Sequence, residues 1–247
     1  MTLPRVVSPE RLDHLAPDDP AALQSRRDLV RIHRAMGTRR IVSRAWTALV
    51  SAQRAAAPLR ILELGAGDGR LLLGVARSLS ACWPRVELTL LDRQPIVTAA
   101  TLAGFGELGW SAQVQVADVL DWAAAPRGAV PRAPGPRWDL ITTTLFLHHF
   151  DDNDLGQLLA ATASRSDRFF ACEPSRSWPA RVGSHLVGAI GANAVTREDA
   201  VLSVQAGFRD REISALWPPA DAGWQLRESA AGLFSHTFSA FRAGVGA

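Results

Sequence analysis

Lysine and tyrosine are absent from this sequence, and cysteine and methionine occur only twice each, so all 27 basic residues are arginine. In a chain this rich in alanine, arginine and proline, that bias reflects GC-rich coding and does not point to a special partner. Cys82 and Cys172 lie far apart in apolar surroundings, which argues against a disulfide framework or a thiolate zinc site and suits a reducing compartment. No apolar run reaches the roughly 18–20 residues needed to span a bilayer, so stable membrane insertion is not expected. Residues 1–20 are Pro- and Asp-rich without the apolar core of a signal peptide, and a cytoplasmic protein is expected. Net charge is only +3, with no basic stripe interleaved with aromatics, which removes the case for nucleic acid. There is no internal repeat. What remains is a chain of 247 residues, 47% hydrophobic and 21% charged, able to bury a full core.

Periodicity supplies the outline. Over Pro20–Met36, Leu29, Ile32, His33 and Met36 share one helical face, and Gly37 is a natural stop. A second helix runs from Thr38 to about Arg54, with Ile41, Ala45, Trp46 and Leu49 on one side. Residues 1–55 thus read as a helical, arginine-dense N-terminal arm ahead of a domain over 56–247. Strands near 59–64, 85–91, 112–118, 138–144 and 168–172 alternate with helices near 68–80, 95–105 and 151–165. That alternation predicts an α/β fold with a doubly wound, mostly parallel sheet. Residues 123–137 hold four prolines and read as a surface loop. A helix is expected after Thr196, whose Thr-Arg-Glu-Asp run has the form of a capping box. The tail shows strand character at 211–217, 224–228 and 234–241.

The most informative stretch is ILELGAGDGR, residues 61–70. Its glycines, Gly65, Gly67 and Gly69, follow a Gly-x-Gly-x-Gly spacing, and Arg70 stands where a dinucleotide fingerprint has its third small residue. Glu63 precedes the first glycine by two positions. A pyrophosphate would gain nothing from that carboxylate, whereas a cationic ligand would. The second strand, VELTLLD, ends in Asp92, which can accept hydrogen bonds from a ribose diol. The third, VQVADVLDW, ends near Asp118, placed to meet an adenine amino group. Any one of these acids is as readily a helix cap or a solvated strand end; three at successive strand ends point to a nucleoside.

The series ILELGAGDG, LLDRQ, VADVLDW and WDLITTTLFLHHF resembles the motifs of class I S-adenosylmethionine-dependent methyltransferases, over about residues 59–173. The resemblance implies a seven-stranded Rossmann-like sheet closed by an antiparallel pair, with S-adenosylmethionine as cofactor. It implies that Glu63, Gly65, Ala66, Gly67 and Gly69 line the methionine part, that Asp92 holds the ribose and Arg93 flanks the adenine, that Asp118 and Val119 border the adenine, and that Leu145 sits near the reacting methyl. LFLHHF is similar to the small-molecule branch that includes quinone-biosynthesis methyltransferases. The arm, together with ACEPSRS and GANAVTREDAVLSVQAGF, is similar to bacterial methyltransferases associated with type III polyketide synthases, which act on phenolic products. The stretch SRSDRFFACEP departs from the Lys-Pro-Gly-Gly turn common before the fifth strand, which leaves the branch open.

The expected reaction is methyl transfer to a small hydroxylated aromatic, with or without an alkyl tail. His148 and His149 are the catalytic candidates, as general base or substrate contacts, against a structural reading in which one ring packs inward. Glu173, at the end of the fifth strand, and His185, in the segment RVGSHLVGAIG, are candidate substrate contacts. His33 and Met36 read as core, and Cys172 as a small buried apolar residue. One arginine of the arm, Arg26 or Arg27, could reach an anionic group. Asp151–Asp154 read as a helix cap, and no metal is expected. C-methylation of a quinone precursor, a nicotinamide oxidoreductase and a catalytically silent cofactor-binding protein remain alternatives; the sequence does not give an oligomeric state.

Overall fold

The computed structural model describes residues 4–50, 57–79, 83–126, 137–219 and 223–243. After a short 3-10 turn at Arg11–His14 come helices α1 (Pro20–Met36) and α2 (Thr38–Val50). The alternating body follows as β1 (Leu59–Leu64), α3 (Arg70–Leu79), β2 (Val86–Asp92), α4 (Ala99–Gly106), β3 (Trp110–Val116), α5 (Val119–Ala124), β4 (Leu140–Thr144), α6 (Asp152–Arg165) and β5 (Arg168–Pro174). The chain closes with α7 (Trp178–Leu186), α8 (Ala194–Ala206), α9 (Glu212–Leu216), β6 (Trp224–Ala231) and β7 (Ser235–Arg242).

The seven strands form one sheet in the order β3-β2-β1-β4-β5-β7-β6. The first five pair in parallel; β7 runs antiparallel to both β5 and β6. Central strands read as mostly apolar runs because both faces are covered. Leu59 and Ile61 of β1 enter the core beneath α2, α3 and α4, while Leu62 and Leu64 enter the core beneath α5, α6 and α9. Phe170 and Cys172 alternate with Phe169 and Ala171 of β5 in the same way. Strand order reverses between β1 and β4, and in open parallel sheets ligands collect beyond the strand ends at such a point.

The N-terminal helices are joined to this body. Trp46 of α2 is fully buried, its ring 6.5 Å from Trp110 and tilted only 6° to it. The expected boundary at residue 55, residues 51–54 of the expected second helix, and 127–136 of the expected loop lie outside the described residues.

Three local expectations are corrected. α8 starts at Ala194, not after Thr196: Asn193 accepts from the Thr196 amide at 2.8 Å and donates to Ala21 O at 2.9 Å, and its own amide is held by the buried Asp28 at 2.7 Å. Residues 211–217 carry the helix α9, not a strand, because the Glu228 carboxylate accepts from the first-turn amides of Ile213 (3.0 Å) and Ser214 (2.7 Å). A short helix, α5, follows β3 directly, capped by Asp118 accepting from Leu120 N at 2.7 Å.

Candidate active site

The glycine loop turns from β1 into α3 with Gly65, Gly67 and Gly69 all at positive φ (69°, 55° and 74°), where a side chain is strained. The glycines differ in surroundings. A Cβ on Gly65 would lie 2.3 Å from the Phe146 ring, one on Gly69 would press on Thr101 and Leu90, and one on Gly67 would meet nothing within 4 Å. Asp92, at the end of β2, pins the loop: Oδ2 accepts from Gly67 N at 2.8 Å and Oδ1 from Gln94 N at 2.9 Å.

These residues border a cavity of about 1500 Å³ at the carboxyl ends of the strands. Glu63, Gly65, Ala66, Gly67, Asp92, Arg93, Asp118, Val119 and Leu145 all line it, as do His148 and His149. Gly69 does not: it packs inward beneath α4. Arg93 is on the wall, but its guanidinium donates to Asp13 O at 2.7 Å, clasping the N-terminal segment. Arg26 lines the cavity too, and donates to Pro17 O and to Gln94.

Glu63 is 4% exposed, and its Oε2 has no hydrogen-bond partner among the described residues. Burial pushes its carboxyl up to about 8; the Thr144 hydroxyl opposes that and the nearby Glu173 adds to it. A buried acid with one open oxygen beside a backbone that leaves room for a ligand suits a cationic group, whose charge would draw the proton off.

Glu173 is corrected from a substrate contact to a positioning residue. Fully buried and off the cavity wall, its carboxylate accepts from the backbone amides of Phe146 (3.1 Å), Leu147 (3.0 Å) and His148 (3.4 Å), and pairs with His148 Nδ1 at 2.8 Å. It therefore shapes the loop after β4, in which Leu145 is held at φ 53°, a conformation unusual for a leucine. His185 is corrected as well: it is exposed on α7 and off the wall, while its neighbours Ser184 and Leu186 face the cavity. Its helical position turns it outward.

The two histidines differ. His148 is buried, with Nδ1 on Glu173 and Nε2 3.3 Å from Glu10 Oε1. Burial disfavours its charge, but hydrogen bonds to Glu10 and Glu173 outweigh that and raise it to about 9. His149 is partly exposed, 4.3 Å from the His148 ring, with Nδ1 3.3 Å from Asp13 Oδ2; burial and the neighbouring His148 charge lower its pKa. His33 also lines the cavity, and burial lowers it to about 4. Burial pushes the Cys172 thiol up to about 12, which makes it unreactive. Asp151 caps α6, accepting from Asp154 N at 2.9 Å.

Sequence reasoning missed Glu10 and Asp13. Both come from the Pro- and Asp-rich N-terminal segment, held in place where Asp199 accepts from the amides of Arg11 (2.8 Å) and Leu12 (2.9 Å). No local pattern marks residues whose partners lie 138 positions away.

This strand order, with β7 antiparallel between β5 and β6 and a cleft at the switch point, is that of a Rossmann-like methyltransferase fold. It differs from the 3-2-1-4-5-6 order of the dinucleotide fold. Among solved structures, the plantazolicin methyltransferase BamL, in complex with a desmethyl-plantazolicin analogue and S-adenosylhomocysteine, superposes at TM-score 0.60 and 12% identity, with 94% of this chain and 93% of that one covered. The magnesium protoporphyrin IX methyltransferase ChlM of Synechocystis PCC 6803, with bound S-adenosylmethionine, gives 0.51 at 15% identity, covering 94% and 88%. A putative O-methyltransferase of Nostoc punctiforme PCC 73102 gives 0.56 at 14% identity, covering 97% and 64%. No family model matches the chain and no curated protein matches it in sequence, so the likeness is one of fold.

Proposed function

We propose that the protein transfers the methyl group of S-adenosylmethionine to a small hydroxylated aromatic, as an O-methyltransferase of phenolic or polyketide-derived products. The observation that carries this reading is a cavity of about 1500 Å³ lined both by the glycine loop, Glu63, Asp92 and Asp118 and by apolar residues of α1 and α7, with a buried, unpartnered oxygen on Glu63. S-adenosylmethionine, when bound, supplies a methyl already activated on a sulfonium, so the chain has only to orient and shield it. Glu63 would take the ammonium, Asp92 the ribose hydroxyls, and Asp118 with Val119 the adenine. Gly67 leaves the space a ligand needs against the loop. On the acceptor side, Leu29, Met36, Ala180, Val187 and Phe234 line the cavity, and His148 and His149, which line it too, are the groups we assign to the acceptor hydroxyl. Ordering two reactants side by side in one cavity would supply several kcal/mol of the barrier reduction. Glu63 and the antiparallel β7 both weigh against a nicotinamide oxidoreductase.

Calorimetric titration with S-adenosylmethionine and S-adenosylhomocysteine, with NADH as control, tests the cofactor; Asp92→Ala tests the site. Saturable binding of the first two, weakened in the variant, is expected. Binding of NADH alone, or of none of the three, overturns the reading. Radiolabelled methyl transfer to a panel of phenols then tests the acceptor, and a label on carbon would turn the assignment to C-methylation.

A further inference from the structure

We propose that Glu10, His148 and His149 form a binding site for a borderline first-row divalent cation of the zinc(II) or cobalt(II) kind, with its open coordination positions on the cavity side. The three residues, one from the N-terminal segment and two from the turn after β4, bring a carboxylate oxygen and two ring nitrogens within 4.8 Å of one another. The closest pair, His148 Nε2 and Glu10 Oε1, is 3.3 Å apart. Two donors about 2.0–2.2 Å from a shared ion have about that spacing.

The hydrogen-bond pattern argues the same. Glu173 sits 2.8 Å from His148 Nδ1. With Nδ1 engaged by Glu173, Nε2 is the ring nitrogen turned towards Glu10 and able to coordinate an ion in place of its proton. In the metal-free protein a proton on Nε2 bridges the two, and a metal ion would take that proton's place. The proton serves His148 and Glu10 but brings nothing to His149; a metal ion engages all three. A carboxylate behind the ligating histidine is the usual outer shell of such sites, orienting the ring and fixing its tautomer, and Asp13 stands 3.3 Å from His149 Nδ1 in a similar position. Two imidazoles and one carboxylate suit zinc, cobalt or iron better than magnesium or calcium, which prefer all-oxygen shells.

The acids at the start of α6 serve another purpose, with Asp151 capping the helix by accepting from Asp154 N. This donor set is a different one, assembled only when residues 10–13 fold over the cavity. Its consequence for substrate class rests on the methyl-transfer reading: an acceptor whose hydroxyl or enol oxygen takes an open position on the ion. Ion binding itself does not depend on that reading.

The test uses the full chain, stripped with chelator, and follows visible d–d absorption during titration with cobalt(II). Saturation at one equivalent, reversed by zinc(II), is expected. Glu10→Gln and His149→Ala, each checked for folding by thermal melting, should each weaken cobalt binding by more than the roughly 10–100-fold that loss of an outer-shell partner causes. No cobalt spectrum with wild type, or binding unchanged in the folded double variant, overturns the site. S-adenosylhomocysteine titrated into the same samples reads the cofactor half separately. Cobalt bound without it would leave the metal site standing and remove the methyl-transfer reading; the reverse result would do the opposite.

Discussion

Alanine at Gly65 and at Gly67, two residues apart on one loop, should separate folding stability from ligand binding. Both positions have left-handed backbone, which a side chain disfavours by about 1–2 kcal/mol. At Gly65 the new Cβ would also sit 2.3 Å from two carbons of the Phe146 ring. That ring cannot slide away freely, since the Phe146 amide is bound by Glu173. Overpacking of this kind adds about 1–3 kcal/mol, for a total of about 2–5 kcal/mol. In a chain of this length each kcal/mol lowers the melting midpoint by about 2–4 °C, so Gly65→Ala should lose about 5–20 °C and Gly67→Ala no more than about 8 °C. Binding should follow the opposite order. Gly67 has open space on the cavity side, and a methyl there should weaken S-adenosylhomocysteine about tenfold or more by calorimetry. In a Phe146→Ala background Gly65→Ala should cost less than in the wild type, a coupling of about 1–3 kcal/mol in a double-mutant cycle. Equal melting of the two glycine variants, or no coupling to Phe146, refutes the packing argument.

At pH 7, binding of an ammonium at Glu63 should release about 0.9 proton, given a carboxyl near 8 in the free protein, and calorimetry in buffers of different ionisation enthalpy would count it. Glu63→Gln should release none and bind about 10–100-fold more weakly, the size of a lost charge-assisted bond. Glu173→Gln places an amide donor against backbone donors, and should lower stability by about 2 kcal/mol in chemical denaturation. His33 is held neutral in the folded state, so the unfolded chain binds the extra proton. The stability it contributes is complete above pH 6.5 and falls by up to about 3 kcal/mol as pH drops towards 4; His33→Leu should flatten that part of the denaturation profile.

The glycine loop was legible because its chemistry is local: the acid, the turn and the helix start lie within ten residues. The parallel sheet was legible because strands buried on both faces leave mostly apolar runs such as LRILEL and RFFACEP. The helix α9 was not, because five residues are too few to show a period and its start is set by Glu228, 15 residues ahead of Ile213 on another element. The true start of α8 was hidden for a similar reason, since the amide of its cap is held by Asp28, 165 positions away. The acceptor side showed only its histidines. What holds them, Glu10 and Glu173, comes from the N-terminal segment and from the fifth strand.

Glu173 also limits how this protein can be re-engineered. The turn at residues 145–149 looks like a self-contained cassette, a natural piece to exchange between enzymes of the same fold when a new acceptor is wanted. Its conformation, however, is set by one carboxylate on a different strand. A transplanted turn would arrive without the anchor that holds its amides, and a recipient lacking an acid at the end of its fifth strand would hold it in another shape. Chimaeras should therefore exchange the turn and the strand end together.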